Sequence, residues 1–215
     1  MALLTAALRA YRVASTGRLL IRARREYRLP PHGRGCATYL TAVSRLPLQR
    51  AHAIAGALEP LRAAAPRHYF YPPETLHFTI RNLNGVDPDA LQAAALLLRR
   101  TRVFELELRG LNVSSHTVFV QALPCDDTLR SVRRRLDDSL RVSTTPRPRL
   151  PADFAHINVV RFRGRVGGSL LAAVARRRNI ELGTLTVDEI EIVETDRLLS
   201  RAGTRIVERI ALGGG

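Results

Sequence analysis

Leu76-His77-Phe78-Thr79-Ile80 and Ala155-His156-Ile157-Asn158-Val159 are the two stretches of this 215-residue chain from which its fold is read. Each sets a histidine two positions before a small hydrogen-bonding residue inside an apolar run. In a β-strand alternate side chains share a face, so His77 and Thr79 point one way while Phe78 and Ile80 point the other. The same pattern sets His156 and Asn158 against Ile157 and Val159. Two imidazoles, each beside a polar donor, can serve as general base and general acid on either side of a phosphate. The two histidines are 79 residues apart (156 minus 77), close to half of the patterned region 36–211, as two structurally similar halves require. No repeat is legible in the letters themselves.

Outward from these strands the periodicities alternate between two and 3.6. Ala37–Val43 reads as a strand and 47–64 as a helix, with Ile54, Leu58 and Leu61 on one stripe. Asp87-Pro88 starts a helix, Asp as the cap and Pro at the first position, and Leu91, Ala94, Ala95 and Leu98 give it an apolar face. Phe104–Leu108 and Thr117–Leu123 read as strands. Asp126 or Asp127 caps a helix carrying Leu129, Val132, Leu136 and Leu140 at three- and four-residue steps. A Pro/Thr/Arg-rich loop, 141–151, precedes the strand Phe154–Phe162. A helix near Ser169–Arg177 and strands Leu185–Glu194 and Thr204–Ala211 follow. This order is α+β and not doubly wound, and no glycine-rich phosphate loop follows a strand.

Arginine supplies all 34 basic residues, lysine being absent, and the formal net charge is +15. The planar guanidinium suits bidentate phosphate binding, which points to RNA or a nucleotide as partner; a compositional bias toward arginine produces the same count on a solvated surface. Residues 1–34 hold one acidic residue, Glu26, and read as a basic N-terminal extension, with Leu3, Leu4, Ala7, Leu8 and Tyr11 at helical spacing before the breaker Pro30-Pro31-His32-Gly33. An arginine-rich, acid-poor start also has the character of an organellar transit peptide. Arginines interrupt every long apolar run, so no membrane-spanning helix is expected. Cys36 and Cys125, with no CxxC pair and no Cys/His cluster, argue against a disulfide scaffold and a zinc site and fit a reducing, cytoplasmic compartment.

Pro72-Pro73-Glu74-Thr75-Leu76-His77-Phe78-Thr79-Ile80 resembles the first motif of the 2H phosphoesterase superfamily, which includes the 2′-5′ RNA ligase and cyclic phosphodiesterase proteins. Phe154-Ala155-His156-Ile157-Asn158-Val159-Val160-Arg161 resembles the second, and the stretch from Val187 to Ile210 is similar to that family's last hairpin. The resemblance spans residues 36–211. It implies a bilobed α+β fold over 35–215, with two pseudo-symmetric antiparallel-sheet lobes and outer helices around a central groove. It further implies His77 and His156 as the acid/base pair and Thr79 as a phosphate-binding hydroxyl, with no metal or other cofactor and a monomeric chain. Asn158 stands where the family has a second hydroxyl, and Ala155 where proline is common.

The activity so implied is that of a phosphodiesterase, a hydrolase of a 2′,3′-cyclic phosphate or a 2′-5′ linkage in RNA or a nucleotide. Arg81, two residues beyond Thr79, is the expected guanidinium on the same strand face, whereas Arg161 has the wrong parity to His156 unless a bulge intervenes. An asparagine amide donates as a hydroxyl does, from a different point, so Asn158 is expected to bind phosphate with slower or altered turnover. Other readings are a noncatalytic RNA- or nucleotide-binding relative and, less directly, a basic adaptor docking through residues 1–34. His32, His52, His68 and His116 have no partner pattern. Tyr69, Phe70 and Tyr71 read as packing before the first motif.

Overall fold

Both histidine segments form strands, and they lie side by side at the middle of one sheet. The computed structural model describes residues 26–140 and 155–213. Along the chain come β1 (Glu26–Tyr27), β2 (Tyr39–Arg45), α1 (Leu48–Ala57), α2 (Glu59–Ala64), β3 (Tyr69–Phe70), β4 (His77–Asn82) and α3 (Pro88–Arg99). Then follow β5 (Phe104–Val113), β6 (Thr117–Pro124), α4 (Thr128–Leu140), β7 (Ala155–Arg161), β8 (Gly164–Arg165) and α5 (Gly168–Ala175), and finally β9 (Glu181–Val187), β10 (Glu189–Thr195) and β11 (Arg205–Ala211).

The main sheet runs β11-β10-β2-β4-β7-β6-β5-β9, with β3 also paired to β7. Every pairing is antiparallel, yet β4 and β7 meet at one register position, Phe78 opposite Ile157. The sheet therefore divides there into two four-stranded halves, each with its histidine strand innermost. This is the antiparallel α+β class expected from the sequence, and the two halves are consistent with the two lobes expected there.

The faces differ as the alternation dictates. Ala42, Phe78, Leu106, Leu108, Val120 and Ile157 bury one face against Ile54, Leu61, Leu98, Leu129, Leu136 and Leu170 of the helices. Full burial of a side chain such as Phe78 contributes about 2–3 kcal/mol. α3 and α4 pack together over the first half, on β11 and β4, while α2 and α5 pack together and α5 covers β5 of the second. The opposite face carries Arg45, Thr79, Glu191, Arg209 and, in the other half, Arg109, Gln121 and His156.

Helix starts follow the expected chemistry, Asp87 accepting the Ala90 N–H at 2.9 Å ahead of Pro88. Two boundaries differ. The helix expected over 47–64 breaks at Leu58, because Pro60 has no N–H to donate and sits at the start of α2 instead. The strand expected over Leu185–Glu194 is two strands, since the chain turns at Asp188 from one half of the sheet to the other, where the Asp188 carbonyl accepts the Leu212 N–H at 2.7 Å.

The described part of the basic N-terminal segment is docked on the domain. β1 pairs with β8, Tyr27 is buried, and the Gly33 N–H donates to Asp196 at 2.6 Å. Burial alone would raise the Asp196 carboxyl, but donors from Gly33, Ser200 and Leu198 hold it below its usual range. The basic helix expected at Leu3–Tyr11 and the loop at 141–151 lie outside the described residues. No described helix is long and apolar enough to cross a membrane.

Candidate active site

Phe78 and Ile157 face the helices, so their neighbours His77, Thr79, His156 and Asn158 are all directed to the other face, where β4 and β7 diverge. The four residues singled out in the two motifs thus meet on one face of adjacent strands.

His77 is buried, and its Nδ1 lies 2.8 Å from the Thr75 carbonyl. A carbonyl only accepts, so Nδ1 carries the proton and Nε2 of the neutral ring is left with its lone pair. Burial lowers the His77 pKa to about 4; Arg45, its cross-strand neighbour, pushes the same way, and the bond to Thr75 opposes both. Arg45 is held by Glu191 at 2.6 Å, a buried carboxylate that also takes Arg209 at 3.2 Å.

His156 packs edge-on to Phe119, with ring centroids 5.3 Å apart. Its pKa is likewise lowered to about 4, by burial first, then by the charges of Arg133 and His77. The two imidazoles therefore lie within electrostatic reach of each other. Thr79 is exposed and Asn158 half-buried. Asn158 Oδ1 is buried without a partner, which leaves the amide NH2 as the end of that side chain free to donate outward.

Two bulges decide which arginines join them. In β4 the register slips between Thr79, opposite Val43, and Arg81, opposite Ala42. Val43 and Ala42 face opposite ways, so the slip carries Arg81 to the helix-covered face, where it pairs with Asp137 of α4 at 2.6 Å. The expectation that Arg81 shares the face of Thr79 is thereby corrected; two-residue counting fails across an inserted residue.

In β7 the opposite happens. The register slips between Asn158, opposite Phe119, and Val160, opposite Val118, so Arg161 arrives on the histidine face. It pairs across β3 with Tyr69, and its charge acts on Tyr71 and Tyr39. Burial raises the Tyr71 hydroxyl above the ordinary tyrosine value, and Arg161 opposes that shift.

Arg133 escaped the sequence reading. It donates to the Thr79 and Ile80 carbonyls at 2.9 and 3.1 Å, the backbone acceptors that the β4 bulge exposes. A signal was present: Arg133 lies four residues after Leu129 and three before Leu136, on the apolar stripe of α4. Among the described residues no group of three or more His, Cys, Asp or Glu could hold a metal ion.

The profile of the 2′-5′ RNA ligase superfamily matches residues 48–198, which include both histidine strands. The chain belongs to that superfamily. Solved structures of similar fold include one described as a phosphoesterase, 18% identical, with a TM-score of 0.57, covering 81% of this chain and 98% of its own. E. coli LigT complexed with ATP (19% identical, TM-score 0.57) and with 3′-AMP (20%, 0.57) covers the same shares, 81% and 98%. No curated protein matches the sequence. In this member of the 2′-5′ RNA ligase superfamily the paired histidine strands lie where the two halves of the sheet join.

Proposed function

We propose that the protein is a phosphoesterase that opens a 2′,3′-cyclic phosphate, or cleaves a 2′-5′ phosphodiester, of RNA or a nucleotide by paired-histidine acid/base catalysis. The observation that carries this reading is the placement of His77 and His156 on one face, on either side of the Phe78–Ile157 pair. The superfamily membership and the binding of 3′-AMP by E. coli LigT support it.

The His77 tautomer supports one division of roles. His77, with Nδ1–H committed to Thr75, offers Nε2 as the base that takes a proton from the attacking water. The water oxygen bonds to phosphorus as the bond to one ribose oxygen breaks, and His156 gives that oxygen its proton. Both imidazoles are neutral in the free protein at pH 7. A bound phosphate anion raises the His156 pKa and recruits the proton that the acid step needs. Thr79, the Asn158 amide and Arg161 neutralise the charge that develops on the phosphate oxygens. The reaction as written calls on no metal.

Hydrolysis of a nucleoside 2′,3′-cyclic phosphate by the wild type, His77→Ala and His156→Ala tests the reading. Turnover is expected in the wild type and lost in both variants. Turnover that survives both changes in folded protein excludes the assigned mechanism. Asn158→Thr is expected to turn over faster, by restoring a hydroxyl where an amide now stands. A noncatalytic nucleotide-binding protein would show binding without turnover in every variant.

A further inference from the structure

Beyond the histidine face, an open pocket of about 990 Å³ lies between the β1/β8 pair and the segment that leads into β2. Arg28, Arg67 and Arg163 line it against one carboxylate, Glu26. None of the three arginines stands in an ion pair among the described residues. Arg67 donates to the Arg165 carbonyl, which fixes one guanidinium at the wall. Tyr27 also lines the pocket, and its hydroxyl is buried without a hydrogen-bond partner. Three guanidiniums against a single carboxylate form a site for a phosphate anion.

This pocket is linked to the proposed active site through packed residues. Arg163 follows Arg161 at the alternate position beyond the buried Phe162. His32, on the pocket wall, packs its ring against Tyr69 at 5.7 Å, and Tyr69 is the cross-strand partner of Arg161. Arg163 lies seven residues past His156, at most about 23 Å at ~3.3 Å per residue. That span is within reach of a short strand.

We infer that the pocket of Arg28, Arg67 and Arg163 is a subsite for a backbone phosphate of a single-stranded RNA whose phosphorylated end occupies the histidine face. The inference rests on the function proposed above and narrows its substrate to a polynucleotide end. Tyr69, half-buried and in edge contact with the buried Tyr71 at 5.2 Å, stands between the two sites as a surface on which a base can stack.

Steady-state kinetics on a nucleoside 2′,3′-cyclic phosphate and on a short oligoribonucleotide ending in the same group test it. In Arg28→Ala/Arg163→Ala the oligonucleotide KM is expected to rise on the order of tenfold with kcat retained, the signature of lost uniform binding. The nucleoside kinetics are expected to hold. Arg100→Ala/Arg176→Ala, at two exposed arginines outside the pocket, controls for net charge. Equal effects on both substrates, or no effect on either, overturn the subsite.

Binding of a 3′-phosphorylated oligoribonucleotide to His77→Ala separates the two claims, because it needs no turnover. There the salt dependence of log K is expected to flatten by about one unit per phosphate contact removed by the arginine changes. Flattening without turnover in the wild type would refute the proposed chemistry and leave the subsite standing. Tight binding of inorganic phosphate alone, with no gain from the RNA chain, would identify a free-phosphate site instead. Binding to anionic phosphatidylserine vesicles in preference to RNA would also overturn the inference.

Discussion

Phe78 of β4 stands opposite Ile157 of β7, and this pair joins the two halves of the sheet. Both side chains are fully buried beneath the helices, and the histidines flank them on the other face. The joint that holds the halves together therefore also sets the spacing of the proposed acid/base pair.

Phe78→Ala is expected to destabilise the fold by about 3–5 kcal/mol, the transfer cost plus the cavity left in a core that cannot collapse around it. Ile157→Val, one methylene smaller, is expected to cost about 1 kcal/mol. Urea unfolding measures both. A loss under about 1 kcal/mol for Phe78→Ala would show that the halves are held by their helices and not by this pair.

The histidines make stability depend on pH in a definite direction. Their folded values lie near 4, below the ordinary 6.5, so between these limits the unfolded chain binds protons that the folded chain does not. Stability is therefore fully present above about pH 6.5 and falls as the pH drops toward 4, by up to about 3 kcal/mol for each imidazole. Urea midpoints compared at pH 4.5 and 7 in wild type and in His77→Gln/His156→Gln isolate the effect from that of the carboxylates. The doubly substituted protein is expected to show the shallower pH dependence, and equal slopes would mean that neither ring is held neutral.

The two bulges predict opposite outcomes for two arginines. Arg161→Ala is expected to lower kcat/KM on a 2′,3′-cyclic phosphate on the order of a hundredfold, as loss of a donor at developing phosphate charge does. Arg81→Ala removes a partly exposed ion pair with Asp137 and is expected to cost less than about 1 kcal/mol of stability, with activity retained. The reverse ranking would place Arg81 at the phosphate.

Arg133 couples α4 to the β4 bulge. Arg133→Met keeps much of the stem and removes the guanidinium, leaving the Thr79 and Ile80 carbonyls without their donor, at a cost of about 1–3 kcal/mol. The same change removes a positive charge near His156, so its imidazole is expected to titrate at higher pH in an NMR pH series. Loss of stability with an unmoved His156 titration would limit Arg133 to a purely structural part.

Much of this was legible from local pattern. His77 and His156 stood out because alternation sorts a strand's residues by face, and Asp87-Pro88 because a helix start needs a cap and tolerates proline. Arg81 and Arg161 were not legible. Their faces depend on single inserted residues in β4 and β7, and a bulge is defined by the partner strand, which lies far away along the chain. Asp188 misled for the same reason, since nothing in Leu185–Glu194 marks the point at which the chain changes halves.

The order of residues alone thus carried the periodicities, the paired motifs and the α+β class, because each depends on neighbours within a few positions. Tertiary structure alone decided that the motif strands lie side by side, that burial holds both imidazoles neutral, and that Arg161 rather than Arg81 shares their face. Those outcomes depend on register and burial, and these exist only once strands distant in the chain have paired.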